Sequence, residues 1–417
     1  MNEIKTVAVI GLGYIGLPTA AILATNGLNV IGVDVNEKTI EAVNRGEVPF
    51  VEPDLGVHLS GAVSQGHLKA ALDTPAADAY IVAVPTPFKA DRSADLSYIE
   101  AAANGIAPQL QGGELIILES TSPPRATRYM ADVILALRPD LSLDGEGGKS
   151  IIDVAHCPER VLPGRVMIEL VTNDRIVGGI TARAAERAKE LYAVFCQGEI
   201  LLTDDVTAEM AKLVENSFRD VNIAFANELS LISDKLGIDV WELIRLANHH
   251  PRVNILQPGP GVGGHCIAVD PWFIVDVDPA NAKIIRTARE VNDAKPEWVV
   301  EKVLKAVADA GEGAAIAVLG LAFKANIDDL RESPAIEIAR SIAEALPQVQ
   351  INVVEPHVQQ LPKQLSAISN VELLQVDSAL AASSVVVLLV DHDEFRSLNT
   401  SLLDGKALID TRGVFRS

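Results

Sequence analysis

Sulfur is scarce in this chain. Its 417 residues include three cysteines, Cys157, Cys196 and Cys266, an odd set without close spacing. That argues against a disulfide framework and points to a reducing compartment. No C-x2-C spacing exists, and neighbouring residues such as His156-Cys157 or His265-Cys266 seldom both ligate one ion, so no metal site is expected. Positive charge is short as well: 35 lysines and arginines face 56 aspartates and glutamates, a formal net charge of -21. Such a surface repels nucleic acid and anionic membrane, and neither is expected as a partner. Any anionic ligand must be met by a local group of basic residues. No apolar run approaches the roughly 18 residues that a spanning helix needs, and VVVLLV at 385–390 reads as a buried strand. The N-terminus, MNEIKTVAVIGLGYIG, enters a strand at once without the pattern of a secretory leader, so a cytoplasmic protein is expected.

The length implies two or three domains, because single cores rarely grow beyond about 250–300 residues. A composition 48% hydrophobic and 22% charged, with 29 glycines and 22 prolines, fits a globular α/β chain. Val7–Ile10, then GLGYIG, a helical stretch and NVIGVDV ending at Asp34 form a βαβ unit. Apolar runs at 80–85, 114–120 and 151–160 alternate with helical patterns, which predicts a parallel sheet covered on both faces. From Thr207 to Leu236 there is no proline or glycine, and the apolar spacing predicts one long helix. Beyond residue 309, AAIAVLGLAF, INVVEP, SVVVLLVD and ALIDTRG supply a second, smaller α/β domain. AVLGLAF there echoes VAVIGLG near the N-terminus.

GLGYIG has the G-x-G-x-x-G spacing between a strand and a helix. Gly11 permits the tight turn, Gly13 lets a pyrophosphate approach the backbone, and Gly16 allows close helix packing. Asp34 stands where an acid accepts a ribose diol and repels a 2'-phosphate, which favours NAD over NADP. Oxidation of a simple alcohol needs a base and a polarising group but no thiol. Cys266, in GVGGHCIAVDPWF, therefore discriminates between reactions. A thiolate adds to an aldehyde, and the adduct loses a second hydride to become a thioester. The bland reading of a lone cysteine is a small buried hydrophobe. On the long helix Lys212, Asn216 and Arg219 share one face, as a solvated helix face would, and a lysine beside an amide also suits a developing oxyanion. Glu159 follows an apolar strand, placed to activate water or simply to pair with Arg160.

GLGYIGLP, VAVPTP, ESTSPP, CPERVLPG, AEMAKLVENSFRDVNIAFANEL, GPGVGGHCIAVDPWF and GLAFKANIDDLRESP occur in that order from one end to the other. With them the chain resembles the UDP-glucose/UDP-mannose dehydrogenase family, and through NHHPRVNILQPGPGVGGHC its N-acetylhexosamine branch. The resemblance implies two Rossmann-like doubly wound domains joined by a long central helix and a small helical domain. Residues 1–203 would bind NAD, 204–308 would form the central, dimerising domain with the catalytic loop, and 309–417 would bind the UDP-sugar. It implies a homodimer and a four-electron oxidation at C6 of UDP-N-acetyl-D-mannosamine with two NAD and one water. UDP-N-acetylglucosamine and UDP-glucose are the alternatives, and product use in a polysaccharide would follow.

Carried over residue by residue, the resemblance makes Cys266 the nucleophile. Lys212 and Asn216 serve proton transfer and the oxyanion, Asp270 helps place a water or base, and Glu159 and Thr121 order water. For NAD it implies Tyr14, Ile15, Asp34, Thr86, Thr121 and Arg331 beside Gly11, Gly13 and Gly16. For the nucleotide sugar it implies Arg160, Val161, Lys212, Asn216, Arg219, His250, Arg252, Gly263, Phe323, Lys324 and Arg412. Where the family has proline-glycine after the EST segment, this chain reads SPPRAT. Arg125 thus replaces a glycine, and a positive φ there is costly. Two other readings stand beside this one: a two-electron hydroxyacid dehydrogenase using Lys212 alone, and a nucleotide-sugar sensor without turnover.

Overall fold

The computed structural model describes residues 4–89, 91–162, 164–264 and 266–415. Two compact units emerge. The first is Met1–Glu215 with Trp272–Asp278, and the second is Asn216–Pro271 with Pro279–Ser417.

Ten strands belong to the first unit: β1 (Thr6–Ile10), β2 (Asn29–Val33), β3 (Leu68–Ala71), β4 (Ala79–Val82), β5 (Leu115–Leu118), β6 (Leu141–Ser142), β7 (Ser150–Ile151), β8 (Asp153–His156), β9 (Arg175–Gly179) and β10 (Ile200–Asp204). Eight form one sheet in the order β10-β9-β8-β5-β4-β1-β2-β3, and β6 and β7 make a separate pair. Side chains alternate across it. Val7, Val9, Ile81 and Ile117 enter one core, while Ala8, Ile10, Tyr80, Val82, Ile116 and Leu118 enter the other. Both faces are therefore buried, which is why these strands read as unbroken apolar runs. One expectation needs amendment. The sheet is parallel only from β8 to β3, because β9 pairs antiparallel with β8 and β10 follows β9. The connection after β8 returns at the same end of the sheet, so β9 enters in the opposite direction.

The long helix runs Asp205–Leu236, 32 residues or about 48 Å. It starts two residues before the expected Thr207. The Asp204 carboxylate accepts the Thr207 N–H at 3.0 Å and its hydroxyl at 2.6 Å, a cap that sets the start. The division between units falls inside this helix, after Glu215.

In the second unit the helix Lys283–Ala310 packs along the long helix through a buried polar seam. Arg289 pairs with Asp220 at 2.6 Å, Asn227 donates to Asn292 at 2.8 Å, and Lys295 donates to Ser230 at 2.5 Å. The remaining strands are β11 (Ile316–Leu319), β12 (Ile351–Val354), β13 (Val371–Leu373), β14 (Val385–Leu388) and β15 (Ala407–Asp410). They form a wholly parallel sheet in the order β13-β12-β11-β14-β15. Ile316 and Val318 enter one core and Ala317 and Leu319 the other. Each fully buried Val, Leu or Ile side chain contributes roughly 1.5–3 kcal/mol.

Candidate active site

In the first unit the glycine loop leaves β1 beside β4, where the strand connections reverse direction and parallel sheets place ligands. Gly11 has φ 94°, and a Cβ on it would lie 2.5 Å from the Ala83 carbonyl oxygen. A Cβ on Gly16 would lie 1.9 Å from the Gly11 oxygen. Around Gly13 nothing lies within 4 Å of that position, so its backbone borders open space. Two glycines close the turn and the third leaves room for a pyrophosphate at the start of the helix Gly16–Thr25. Ile15 occupies the N-cap position of that helix without a side-chain cap, and Tyr14 stacks on Phe50 at 4.3 Å. Asp34 accepts the Leu12 N–H and the Asn36 N–H, each at 2.9 Å, and stays partly exposed. These residues fit a dinucleotide with a free ribose diol.

Thr86 and Thr121 meet at the ends of the neighbouring strands, where the Thr86 hydroxyl donates to the Thr121 carbonyl. Four residues on, Arg125 does adopt the left-handed conformation, φ 76° and ψ 8°, at the start of the helix Ala126–Leu137. The Glu209 carboxylate holds it there. It accepts the Arg125 N–H at 2.5 Å, the Thr127 N–H at 2.7 Å and the Thr127 hydroxyl at 2.6 Å. Burial pushes the Glu209 carboxyl up to about 7. The cost foreseen for Arg125 is thus real but offset by a clamp that the sequence did not reveal.

Glu159 lies at the end of β8, buried, with Oε1 accepting the Arg160 N–H at 2.6 Å and Oε2 accepting from Arg175 at 3.1 Å. The ion pair weighed with Arg160 does not form. The Arg160 guanidinium instead pairs with Glu215 at 2.6 Å and donates to the Asp174 carbonyl, because Arg175 already occupies the buried side of Glu159. Arg175 also lies 3.7 Å from Glu119 and over the Tyr192 ring at 4.6 Å. Burial, with Glu159 nearby, pushes Glu119 up to about 8. Val161 packs on the adjoining core. Lys212 is partly exposed with no ion-pair partner among the described residues.

In the second unit Asn216 donates to Asp270, which is buried at the start of the helix Asp270–Val277. The Asp270 N–H donates to the Cys266 carbonyl at 2.8 Å. Asn216, Asp270 and the backbone of Cys266 are therefore joined. Cys266 is exposed, whereas Cys157 is buried with its thiol pushed up to about 12 by desolvation and Cys196 is half-buried. Gly263 sits where a Cβ would lie 2.4 Å from the Glu332 carbonyl and 3.1 Å from the Phe323 Cβ. Arg412 pairs with Asp391 at 2.8 Å and lies against Gly259. Arg331, expected at the cofactor, holds its guanidinium on Asp329 at 2.6 Å. Arg219, His250, Arg252 and Lys324 are exposed, and the three cations have no acidic partner among the described residues.

His156 is fully buried, and His265 of the second His-Cys pair lies outside the described residues. His357, His392 and Glu394 offer ligand atoms within 4.8 Å of one another. The Nδ1 of His392 accepts the Asn326 N–H at 3.0 Å, which leaves its Nε2 protonated towards Glu355, so the ring has no lone pair to give a metal. Sequence reasoning missed Glu209, Arg175, Glu119 and Glu355. Only Arg175 left a signal, a charge opening the otherwise apolar strand RIVGG.

The sequence matches the models of the UDP-glucose/GDP-mannose dehydrogenase family in three parts. Its NAD binding domain covers residues 5–196, its central domain 206–294 and its UDP binding domain 317–417. The second nucleotide sugar in the family's name is thus GDP-mannose, not UDP-mannose. An NDP-N-acetyl-D-galactosaminuronic acid dehydrogenase of Ralstonia nicotianae is 56% identical over 99% of this chain and 97% of its own. A UDP-N-acetyl-D-mannosamine dehydrogenase of Salmonella typhi is 56% identical over 99% of both chains. The solved UDP-D-ManNAc dehydrogenase from Pyrococcus horikoshii superposes with a TM-score of 0.86 at 37% identity, over 99% of this chain and 96% of that one. No helix among the described residues is long and apolar enough to cross a membrane.

Proposed function

The chain belongs to the UDP-glucose/GDP-mannose dehydrogenase family, and from that premise we propose that it oxidises C6 of UDP-N-acetyl-D-mannosamine from alcohol to carboxylate. NAD is its cofactor, and two NAD molecules, bound in turn, would each accept one hydride. The observation that carries the mechanism is the placement of Cys266. Among three cysteines it alone is exposed, and its carbonyl caps the helix whose first residue, Asp270, is held by Asn216.

After the first oxidation the Cys266 thiolate attacks the C6 aldehyde, forming a C–S bond and an oxyanion that Lys212 and Asn216 stabilise. The second oxidation leaves a thioester. Water then adds, the C–S bond breaks, and the carboxylate leaves as Cys266 regains its proton. Glu159, its carboxylate fixed from both sides, orders that water together with Thr121. Arg219, Arg252 and Lys324 have no acidic partner among the described residues of a chain of net charge -21, which suits a diphosphate. Arg160, Val161, His250, Gly263, Phe323 and Arg412 complete the nucleotide-sugar set, and Tyr14, Ile15, Asp34, Thr86 and Arg331 the cofactor set.

The partner for assembly is a second copy. Phe218, Phe225 and Ile232 are exposed at seven-residue intervals on the long helix, with Leu236 and Ile284 beside them. Phe225 and Ile284 also line a groove of about 290 Å³ together with Val221 and Val291. An apolar stripe of that period suits another helix.

The test counts NADH formed per limiting sugar nucleotide. UDP-N-acetylmannosamine is compared with the N-acetylgalactosamine, N-acetylglucosamine and glucose analogues, for wild type and Cys266→Ser. Two NADH per molecule with the mannosamine substrate, lost in the variant, is the expected result. Preference for the galactosamine sugar would move the assignment to the substrate class of the Ralstonia relative. One NADH per sugar, or an unaffected variant, would remove the thioester.

A further inference from the structure

The two sheets repeat one local design. Gly11 has φ 94° and donates to the Val33 carbonyl at 2.8 Å; Gly320 has φ 93° and donates to the Val354 carbonyl at 2.8 Å. The next amide follows the same rule, Leu12 donating to Asp34 at 2.9 Å and Leu321 to Glu355 at 2.7 Å. Glu355 therefore holds in the second unit the place that Asp34 holds in the first. Their surroundings differ. Asp34 accepts two amides and remains partly exposed, whereas Glu355 is 4% exposed and receives four donors. Leu321 N–H at 2.7 Å, Ala322 N–H at 3.0 Å and His392 Nε2 at 3.2 Å reach Oε2, and His357 N–H at 3.1 Å reaches Oε1. Three donors crowd Oε2 and a fourth holds Oε1 of a buried carboxylate, so Glu355 is not presented to a ribose diol as Asp34 is.

His392, fully buried after β14, completes the arrangement. Its Nδ1 accepts the Asn326 N–H at 3.0 Å, and Asn326 has φ 62°. Glu355 thus fixes the start of the loop 321–326 and His392 fixes its end, with the two side chains bonded to each other. Phe323 stands in the middle of that loop. A Cβ on Gly264 would lie 3.2 Å from the Phe323 ring, and one on Gly263 would lie 3.1 Å from the Phe323 Cβ. The backbone at Gly263 and Gly264 therefore rests on Phe323.

We propose that Glu355 and His392 are positioning residues for the nucleophile's loop, acting through the 321–326 turn and Phe323 on Gly263 and Gly264. The acid that binds ribose in the first unit has become an internal clamp in the second. This inference rests on the reading of Cys266 as nucleophile for its catalytic consequence, and on geometry alone for its structural one.

The test uses His392→Gln and His392→Asn, since a glutamine amide reaches where Nε2 does and an asparagine amide where Nδ1 does. His392→Phe removes both bonds and keeps the ring. Hydrogen exchange is followed in the full chain over residues 259–264, 321–326, 351–354 and 385–388, beside steady-state kinetics. His392→Phe should speed exchange at least tenfold in 321–326 and 259–264 while the two strand segments stay protected. It should lower kcat roughly 100-fold, the order expected for a misplacement of about 1 Å, with KM for NAD unchanged. Glutamine should free mainly the Asn326 end and asparagine mainly the Leu321 end. Exchange that rises equally in the strands, or stays unchanged in 259–264 for all three variants, would overturn the proposal. Should the wild type release no NADH from any nucleotide sugar, the functional reading falls while the exchange data still decide the positioning.

Discussion

Replacing Arg125 by glycine should stabilise the first unit, and the size of the gain follows from three quantities. A residue with a Cβ held in the left-handed region costs about 1–2 kcal/mol. Glycine gives back about 0.4–1 kcal/mol because its unfolded chain is freer. The Arg125 side chain is exposed and makes no hydrogen bond or ion pair among the described residues, so little else is lost. The net gain is about 0–1.6 kcal/mol, centred near 0.8, which for a unit of 150–250 residues corresponds to roughly 2–3 °C in Tm. Alanine keeps the Cβ and its strain and should gain nothing, and valine should lose about 1 kcal/mol more. Calorimetric melting of the three variants beside wild type tests the order glycine, then arginine and alanine together, then valine. The clamp offers an internal control: Glu209→Gln should cost more in wild type than in Arg125→Gly, where the turn holds its φ unaided. If alanine proved as stabilising as glycine, strain at this φ would not be the cause, and the account of the Glu209 clamp would fall with it.

His156 is buried with both ring nitrogens lacking a hydrogen-bond partner among the described residues, and desolvation pushes its pKa down to about 3. Its folded value lies below the unfolded 6.5, so its contribution is complete above pH 6.5 and is lost as pH falls towards 3, by up to about 1.4 kcal/mol per unit. His156→Leu should flatten that acid limb in urea titrations at pH 4–7; an unchanged slope would place the acid sensitivity elsewhere. Phe218→Asp with Phe225→Asp puts two charges into the exposed stripe and should halve the mass seen by light scattering. A monomeric wild type, or a double variant that keeps its mass, would remove the second copy from this face.

Much of the fold was legible because it rests on periodicity. Strands buried on both faces read as apolar runs, and the long helix betrayed itself by an apolar repeat uninterrupted over Thr207–Leu236. The glycine loop was equally legible, since each glycine answers to a backbone constraint that a Cβ would violate. What stayed hidden was pairing between distant charges. Glu209 to Arg125 spans 84 residues and Arg175 to Glu159 spans 16, and neither spacing marks a partner. Arg160 was read beside Glu159 because they are neighbours, yet successive residues after a strand point apart, so Arg160 turned to Glu215 and left Glu159 to Arg175. The direction of β9 was hidden for a similar reason, since an apolar run carries no sign of its orientation.

The scarcity of positive charge gives the basic residues their meaning. Ion pairs and carbonyl contacts tie down Arg128, Arg138, Arg175, Arg183, Arg187 and Arg289. Those arginines hold the fold together and leave no charge for a ligand. Lys212, Arg219, Arg252 and Lys324 have no ion-pair partner among the described residues, in a chain where acids outnumber bases by 56 to 35. At physiological ionic strength the field of distant acids is screened beyond about 8 Å, so a diphosphate responds to the few cations near it and not to the net charge. Acidity over the whole surface and affinity for an anion are therefore compatible, provided that cations such as Lys212, Arg219, Arg252 and Lys324 stand close to the ligand.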